Sequence, residues 1–352
     1  MHIFRLALTV ALCLAIGGEA LAYGTVRFLG QDAEHERITR RALSCGPNVA
    51  ASDCFEAETL DKLAGKNRTF GGVGYPDNPT KKLTGQASAH CDGGDFLDVP
   101  EYGRDKRGNN RTLEEANAAI MECRDWMAEH FTAALSVAAD MLDANGDLID
   151  EQIDISGKCI KNLKRKNTAK CNALTHIGIV LHAVQDFYSH SNWTDIADAE
   201  APTGPENPPG LGYDGPAGFL TMPDNGAAFP GGLITGCYEG VIESRNCRYK
   251  DASGERHDRV KHSYLNKDKG NVDPPPGDNA TDFPGVGLIG PGKAGRGAVN
   301  KNFERSVSAA ILDTRAKLAE FKNALALTHG EDKAALLYCA LAKDAPLRDC
   351  AN

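Results

Sequence analysis

The sequence predicts a mainly α-helical single domain with long irregular insertions rich in proline and glycine, and with disulfides. Three observations lead there. Apolar residues recur at helical spacing in several segments, while no stretch shows a convincing strand-like alternation. Between about residues 197 and 298 the chain carries PTGPENPPGLGYDGPAG and VDPPPGDNATDFPGVGLIGPGKAGRG, too rich in proline and glycine for regular structure. With 352 residues, 41% of them hydrophobic, the chain can bury a sizeable core.

The start, MHIFRLALTVALCLAIGGEALA, has a weakly basic end, an apolar stretch and the small-residue sequence Ala20-Leu21-Ala22. That pattern fits a secretory signal over residues 1–22, cleaved before Tyr23. A membrane anchor needs about 20 apolar residues, and Gly17, Gly18 and Glu19 interrupt the stretch too early. The expectation is one domain over residues 23–352, secreted or periplasmic.

Five segments read as helices. Ala33 to Leu43 follows Gln31-Asp32 and puts Ile38, Ala42 and Leu43 on one side. Thr112 to Leu142 opens on a capping box, Thr112 with Glu115, and repeats Ile120, Trp126, Phe131 and Leu135 at helical spacing. LTHIGIVLHAVQDFYSHSNWTD, Leu174 to Asp195, is the third. Asn300 to Leu327 aligns Phe303, Val307, Leu318 and Phe321 and stops at Gly330, and Asp332 to Leu341 closes the chain.

Of the 11 cysteines, Cys13 lies in the signal, and an even number in an exported chain reads as disulfides. Short separations suggest Cys45 with Cys54, Cys159 with Cys171, Cys237 with Cys247 and Cys339 with Cys350, leaving Cys91 with Cys123. A cysteine zinc site is disfavoured because no C-x-x-C pair occurs. The net charge of -9 gives no general attraction to nucleic acid or anionic membranes. A phosphate ester substrate would need metal ions or a local basic patch.

The third helix carries the chemistry. Residues four apart on a helix lie about 40° apart around its axis, so His182 and Asp186 share a side, with His190 one turn further. Imidazole and carboxylate both ligate Zn²⁺, and a carboxylate can bridge two ions. Alone, such a pair is more often a local hydrogen bond. Here Ile177, Ile179, Val180, Leu181, Val184 and Phe187 surround it, and buried ionisable groups need partners. Further donors occur in three places: Asp77 and His90 in a loop, His35 on a first helical turn, and His257, His262 and Asp268 in RHDRVKHSYLNKD.

The segments GQDAEHERITRRAL, YPDNP to AHCDGGD, LHAVQDFYSHSNW and KHSYLNKD together resemble the zinc-dependent phospholipase C and P1/S1 nuclease superfamily, most closely its branch related to the fungal heterokaryon-incompatibility protein Het-C. The resemblance implies a cluster of Zn²⁺ ions. Asp77, His90, His182 and Asp186 would surround one ion. His35 and Asp186 would hold a second, with the amino group of a mature N-terminal Tyr23. His190 and His262 would hold a third. The family's acid four residues after the last His is Asn266 here, and Asp268 could substitute from a loop, so two to three ions are expected.

The implied activity is hydrolysis of a phosphodiester, foremost a phospholipid headgroup at a membrane surface, with Asp77 orienting or deprotonating the attacking water. The alternative is a P1-type single-strand nuclease. Phe187, Tyr188, Trp193 and Tyr264 would be the aromatics on which a base stacks, although core packing is the plainer role for Phe187. A third possibility is a secreted recognition or structural protein that zinc merely stabilises. The expected state is a monomer.

Overall fold

A computed structural model describes residues 24–25, 32–47, 49–66, 69–81, 83–157, 159, 167–238, 246–277 and 279–350. The expected signal and Tyr23 lie outside them. The chain is mainly helical: α1 Glu34–Leu43, α2 Ala57–Ala64, α3 Leu113–Ala139, α4 Asp150–Ile153, α5 Ala169–His190, α6 His262–Leu265, α7 Asn302–His329, α8 Glu331–Ala342 and α9 Pro346–Asp349. Two antiparallel hairpins complete it, β1 Arg248–Lys250 with β2 Arg256–Asp258, and β3 Thr281–Phe283 with β4 Gly287–Ile289.

The five expected helices are present with shifted ends. The central one stops at His190 rather than Asp195, and α3 stops at Ala139. Neither α2 nor the hairpins was anticipated. An eight-residue helix shows too few turns for its period to stand out, and three-residue strands show no alternation.

Helix α5 is the axis of the domain. Every residue in it is buried except the half-buried Asn172 and His176, and it packs on α1, α2, α3, α7 and α8. Ile177, Leu181, Val184 and Phe187 join one core with Ile38 of α1, Met127 and Phe131 of α3, and Phe321 of α7. A helix apolar nearly all round must be covered on all sides, which is why amphipathic neighbours wrap it. The capping box expected at Thr112 and Glu115 is formed, and Thr168 caps α5 through the Cys171 N–H.

One close crossing positions the site. A Cβ on Gly178 of α5 would stand 2.1 Å from the carbonyl carbon of Gly72, and one on Gly72 would stand 2.5 Å from the Leu174 carbonyl oxygen. Two glycines therefore let the 71–77 loop lie against the α5 backbone one turn before His182. The loop is held on its other side by backbone hydrogen bonds from Gly72 to Lys62 and from Val73 to Leu63.

The described parts of the long irregular stretch are tied together by buried polar groups. Asp195 pairs with Lys267 at 3.0 Å and with Arg296 at 2.9 Å. Arg296 also donates to Asn207 and to the Pro208 carbonyl. Asn192 donates to the carbonyls of Pro209 and Gly232 and accepts from the Ile234 N–H. The SNW triplet after His190 thus anchors loops.

The cysteines pair as 45–54, 91–123, 159–171, 237–247 and 339–350, an arrangement suited to an oxidising compartment. Among the described residues, no helix is long and apolar enough to cross a membrane.

Candidate metal centre

His182, Asp186 and His190 form a stripe along the last turns of α5, all fully buried. Around this stripe the fold gathers four other segments. His35 comes from the first turn of α1, Asp77 from the loop resting on Gly178, and His90 from the end of a 3-10 turn, Ala87–His90. His262 is the first residue of α6. It is set against α5 by the segment around Gly236, whose N–H donates to the His190 carbonyl while Cys237 accepts from the His262 N–H.

Asp186 lies at the centre. Its Oδ1 is 3.1 Å from His35 Nε2, and its Oδ2 is 3.0 Å from His182 Nε2 and 2.8 Å from His90 Nδ1. The His182 and His90 nitrogens are themselves 3.0 Å apart. Asp77 stands further out, with Oδ1 at 3.9 Å from His182 Nε2 and Oδ2 accepting from the Thr25 hydroxyl. His35 and His182 with Asp186, and Asp77 and His90 with His182, each form a group able to hold one ion.

A third group comprises Asp92, His190 and His262. His190 Nε2 lies 3.0 Å from His262 Nε2, and His190 Nδ1 lies 3.2 Å from Asp92 Oδ1. Asp92 was missed in the sequence. The available signal was its place two residues after His90, with Cys91 between them in a left-handed conformation (φ 55°) and disulfide-bonded to Cys123 of α3. Asp268, the expected substitute, borders the group at 3.6 Å from His190 Nε2, its Oδ1 accepting from Ser189. Asn266 accepts from the Asp268 N–H. Tyr23 lies outside the described residues. Its neighbour Gly24 donates to the buried Glu34 carboxylate and accepts from the His35 N–H.

The charges suit ligation. Burial raises the Asp186 carboxyl, but His182, His35 and His190 outweigh it and hold the group well below the usual carboxylate range. Burial pulls His182 down, and burial with the neighbouring His190 pulls His262 down to about 3. For His35, His90 and His190 burial acts downward too, but Asp186 and, at His190, Asp92 reverse it and raise them. The carboxylates therefore demand cations between them, either protons or a metal.

A metal fits this donor set. Oδ1 of Asp186, Oδ1 of Asp92 and the His190 Nδ1 that faces it are buried without a hydrogen-bond partner among the described residues. A buried polar atom in that state costs roughly 1–3 kcal/mol unless something compensates it. Facing nitrogens, as in His182 with His90 and His190 with His262, share at most one proton per pair. Ligands about 2.0–2.1 Å from a tetrahedral ion stand about 3.3 Å from one another, close to the spacings seen.

Other candidates fall elsewhere. His257 pairs with Asp251 at the β1–β2 turn and does not join the cluster. Phe187 and Tyr188 are fully buried, and Trp193, 8% exposed, packs on Phe187 and Phe219, so their roles lie in the core. Tyr264 is held by Asp258 and Lys261. An aromatic ring that does lie beside the cluster is Tyr238, 5.5 Å from the His262 ring. A groove of about 570 Å³, lined by acidic residues including Glu58, Asp150 and Asp154, has no cluster residue in its wall.

Residues 110–203 match the family described as the VWA7 N-terminal domain, a span that holds α3, α5 and the stripe His182, Asp186 and His190, but not His35, Asp77, His90 or His262. No curated protein and no solved structure matches the chain. The matched span covers α3 and α5, the two helices that form the centre of the domain.

Proposed function

We propose that the protein is a zinc-dependent phosphodiester hydrolase of phospholipase C type, acting on phospholipid headgroups at a membrane surface. The observation that carries this reading is the buried His and Asp assembly centred on Asp186. Nitrogen and oxygen donors without thiolates suit Zn²⁺. His35 and Asp186 would hold one ion, Asp77, His90, His182 and Asp186 another, and Asp92, His190 and His262 a third. Bound there, zinc would neutralise phosphodiester oxygens, lower the pKa of water towards about 7 and stabilise the leaving oxygen.

The protein's own groups do the rest. Asp77 and His90 are the most exposed members of the cluster, at 8% and 5%, so a substrate would approach from their side. The Thr25 hydroxyl holds one oxygen of Asp77, leaving the other directed at the cluster, where it can orient a water or take its proton. The burial of Phe187, Tyr188 and Trp193 removes the base-stacking platform that a nuclease would draw from them, which favours the lipid over single-stranded nucleic acid.

The test is release of phosphorylated headgroup from phosphatidylcholine vesicles by the zinc-loaded protein. Loss of release with chelator and in His182→Ala supports the reading. Cleavage of single-stranded DNA instead would move it to the nuclease class. A second reading keeps the same ligand groups as a zinc site that merely stabilises a recognition protein. Stoichiometric zinc without hydrolysis of either substrate would support that one.

A further inference from the structure

Gln185 belongs to no ligand group, yet it is fully buried beside one. It precedes Asp186 on α5, so its side chain leaves the helix about 100° away, toward α1 and α7. Its Oε1 lies 2.8 Å from His35 Nδ1. Its Nε2 donates to Thr39 Oγ1 on α1 at 2.9 Å and to Thr314 Oγ1 on α7 at 3.2 Å. Both threonines are fully buried as well.

A glutamine amide has one accepting end and one donating end. With the NH₂ end placed on two threonine hydroxyls, the carbonyl end faces His35, and the hydrogen bond requires a proton on His35 Nδ1. The other ring nitrogen, Nε2, points at Asp186 Oδ1 across 3.1 Å. If the amide were reversed, its NH₂ would donate to Nδ1, the ring proton would move to Nε2, and that nitrogen could not ligate.

We infer that Gln185 is the positioning residue of the site: it fixes His35 as the Nδ1–H form, so that the Nε2 lone pair meets the metal shared with Asp186. The inference rests on the metal-binding part of the reading above. Groups behind a ligating histidine commonly matter by about 10- to 100-fold in metal affinity. Thr39 and Thr314 act one step further back, by setting which way the amide faces.

The experiment is a zinc titration against a competing chelator on wild type, Gln185→Leu and Gln185→Glu, with imidazole ¹⁵N spectra of the zinc-loaded wild type. Gln185→Glu keeps an acceptor for Nδ1–H and is expected to bind within about threefold of wild type. Gln185→Leu should weaken the tightest-coupled ion by about 10- to 100-fold. The spectra should show His35 protonated on Nδ1 and coordinated through Nε2. Equal affinity in Gln185→Leu, equal losses in both variants, or coordination through Nδ1 would overturn the inference while leaving zinc binding intact. A wild type that binds no zinc would overturn the metal reading and this inference together. The wild-type spectra decide even where Gln185→Leu fails to fold.

Discussion

Asp92 Oδ1 stands 3.2 Å from Nδ1 of His190, joining the loop behind His90 to the last residue of the central helix. In the proposed centre Asp92 would take the place of the acid expected at position 266, where the chain has Asn. Replacing it with Asn removes the charge and keeps the shape. Metal analysis of Asp92→Asn is expected to show about one zinc fewer per chain than wild type, whereas Asn266→Ala should leave the content unchanged. The reverse pattern would return the role to the α6 segment.

Asp195 is expected to be a folding residue with no part in catalysis. It is the shared counter-ion of Lys267, fully buried, and Arg296, 6% exposed. Asp195→Asn leaves two cations with one carboxylate too few. Breaking a buried pair of this kind costs about 3–5 kcal/mol. Denaturant unfolding checks it, and a loss below about 1 kcal/mol would show that the irregular stretch is held by other means.

Gly178→Ala should loosen the approach of Asp77. Its new methyl would sit 2.1 Å from the Gly72 carbonyl carbon, where the obstacle is backbone and cannot rotate away. The cost expected is at least that of overpacking a core, about 1–3 kcal/mol. Gly204→Ala, whose Cβ would meet nothing within 4 Å, serves as the control and should change stability by less than about 0.5 kcal/mol. Thermal unfolding of the two variants side by side reads the difference.

The long helices were legible because four or more turns of periodic burial leave a mark in sequence, as Ile120, Phe131, Phe303 and Phe321 do. The stripe of His182, Asp186 and His190 was legible for the same reason: regular spacing within an apolar helix. Asp92 was not, because its contribution depends on Cys91 reversing the chain in a left-handed conformation, which has no local signature, and the expected bridge to Cys123 does not by itself aim Asp92 at His190. Gln185 was hidden differently. One position from Asp186, it reads as an ordinary helical residue until α1 and α7 bring Thr39 and Thr314 to its amide. Asn192, in the S-N-W that follows His190, holds three loop groups together, a role visible only in the folded chain.

His130 carries a pH prediction away from the cluster. Burial, with His176 beside it at 2.8 Å between Nδ1 atoms, pushes His130 down to about 4. Its folded value lies below the unfolded one of about 6.5. Between those values the unfolded chain takes up a proton that the folded chain refuses. This contribution to stability is therefore full above pH 6.5 and lost as pH falls towards 4, by up to about 3 kcal/mol. In the presence of chelator, His130→Gln should lose less stability than wild type between pH 7 and pH 4.5. Parallel curves would contradict the assignment.

In the proposed centre Asp186 joins separate ligand groups into one metal site. Metal analysis of the processed protein beginning at Tyr23, compared with Asp186→Asn and with single alanine variants of His35, His182 and His190, tests it most directly. Two to three zinc ions per chain are expected in wild type, with a larger loss in Asp186→Asn than in any single histidine variant. A wild type free of zinc, or an Asp186→Asn variant that keeps its full complement, would contradict it.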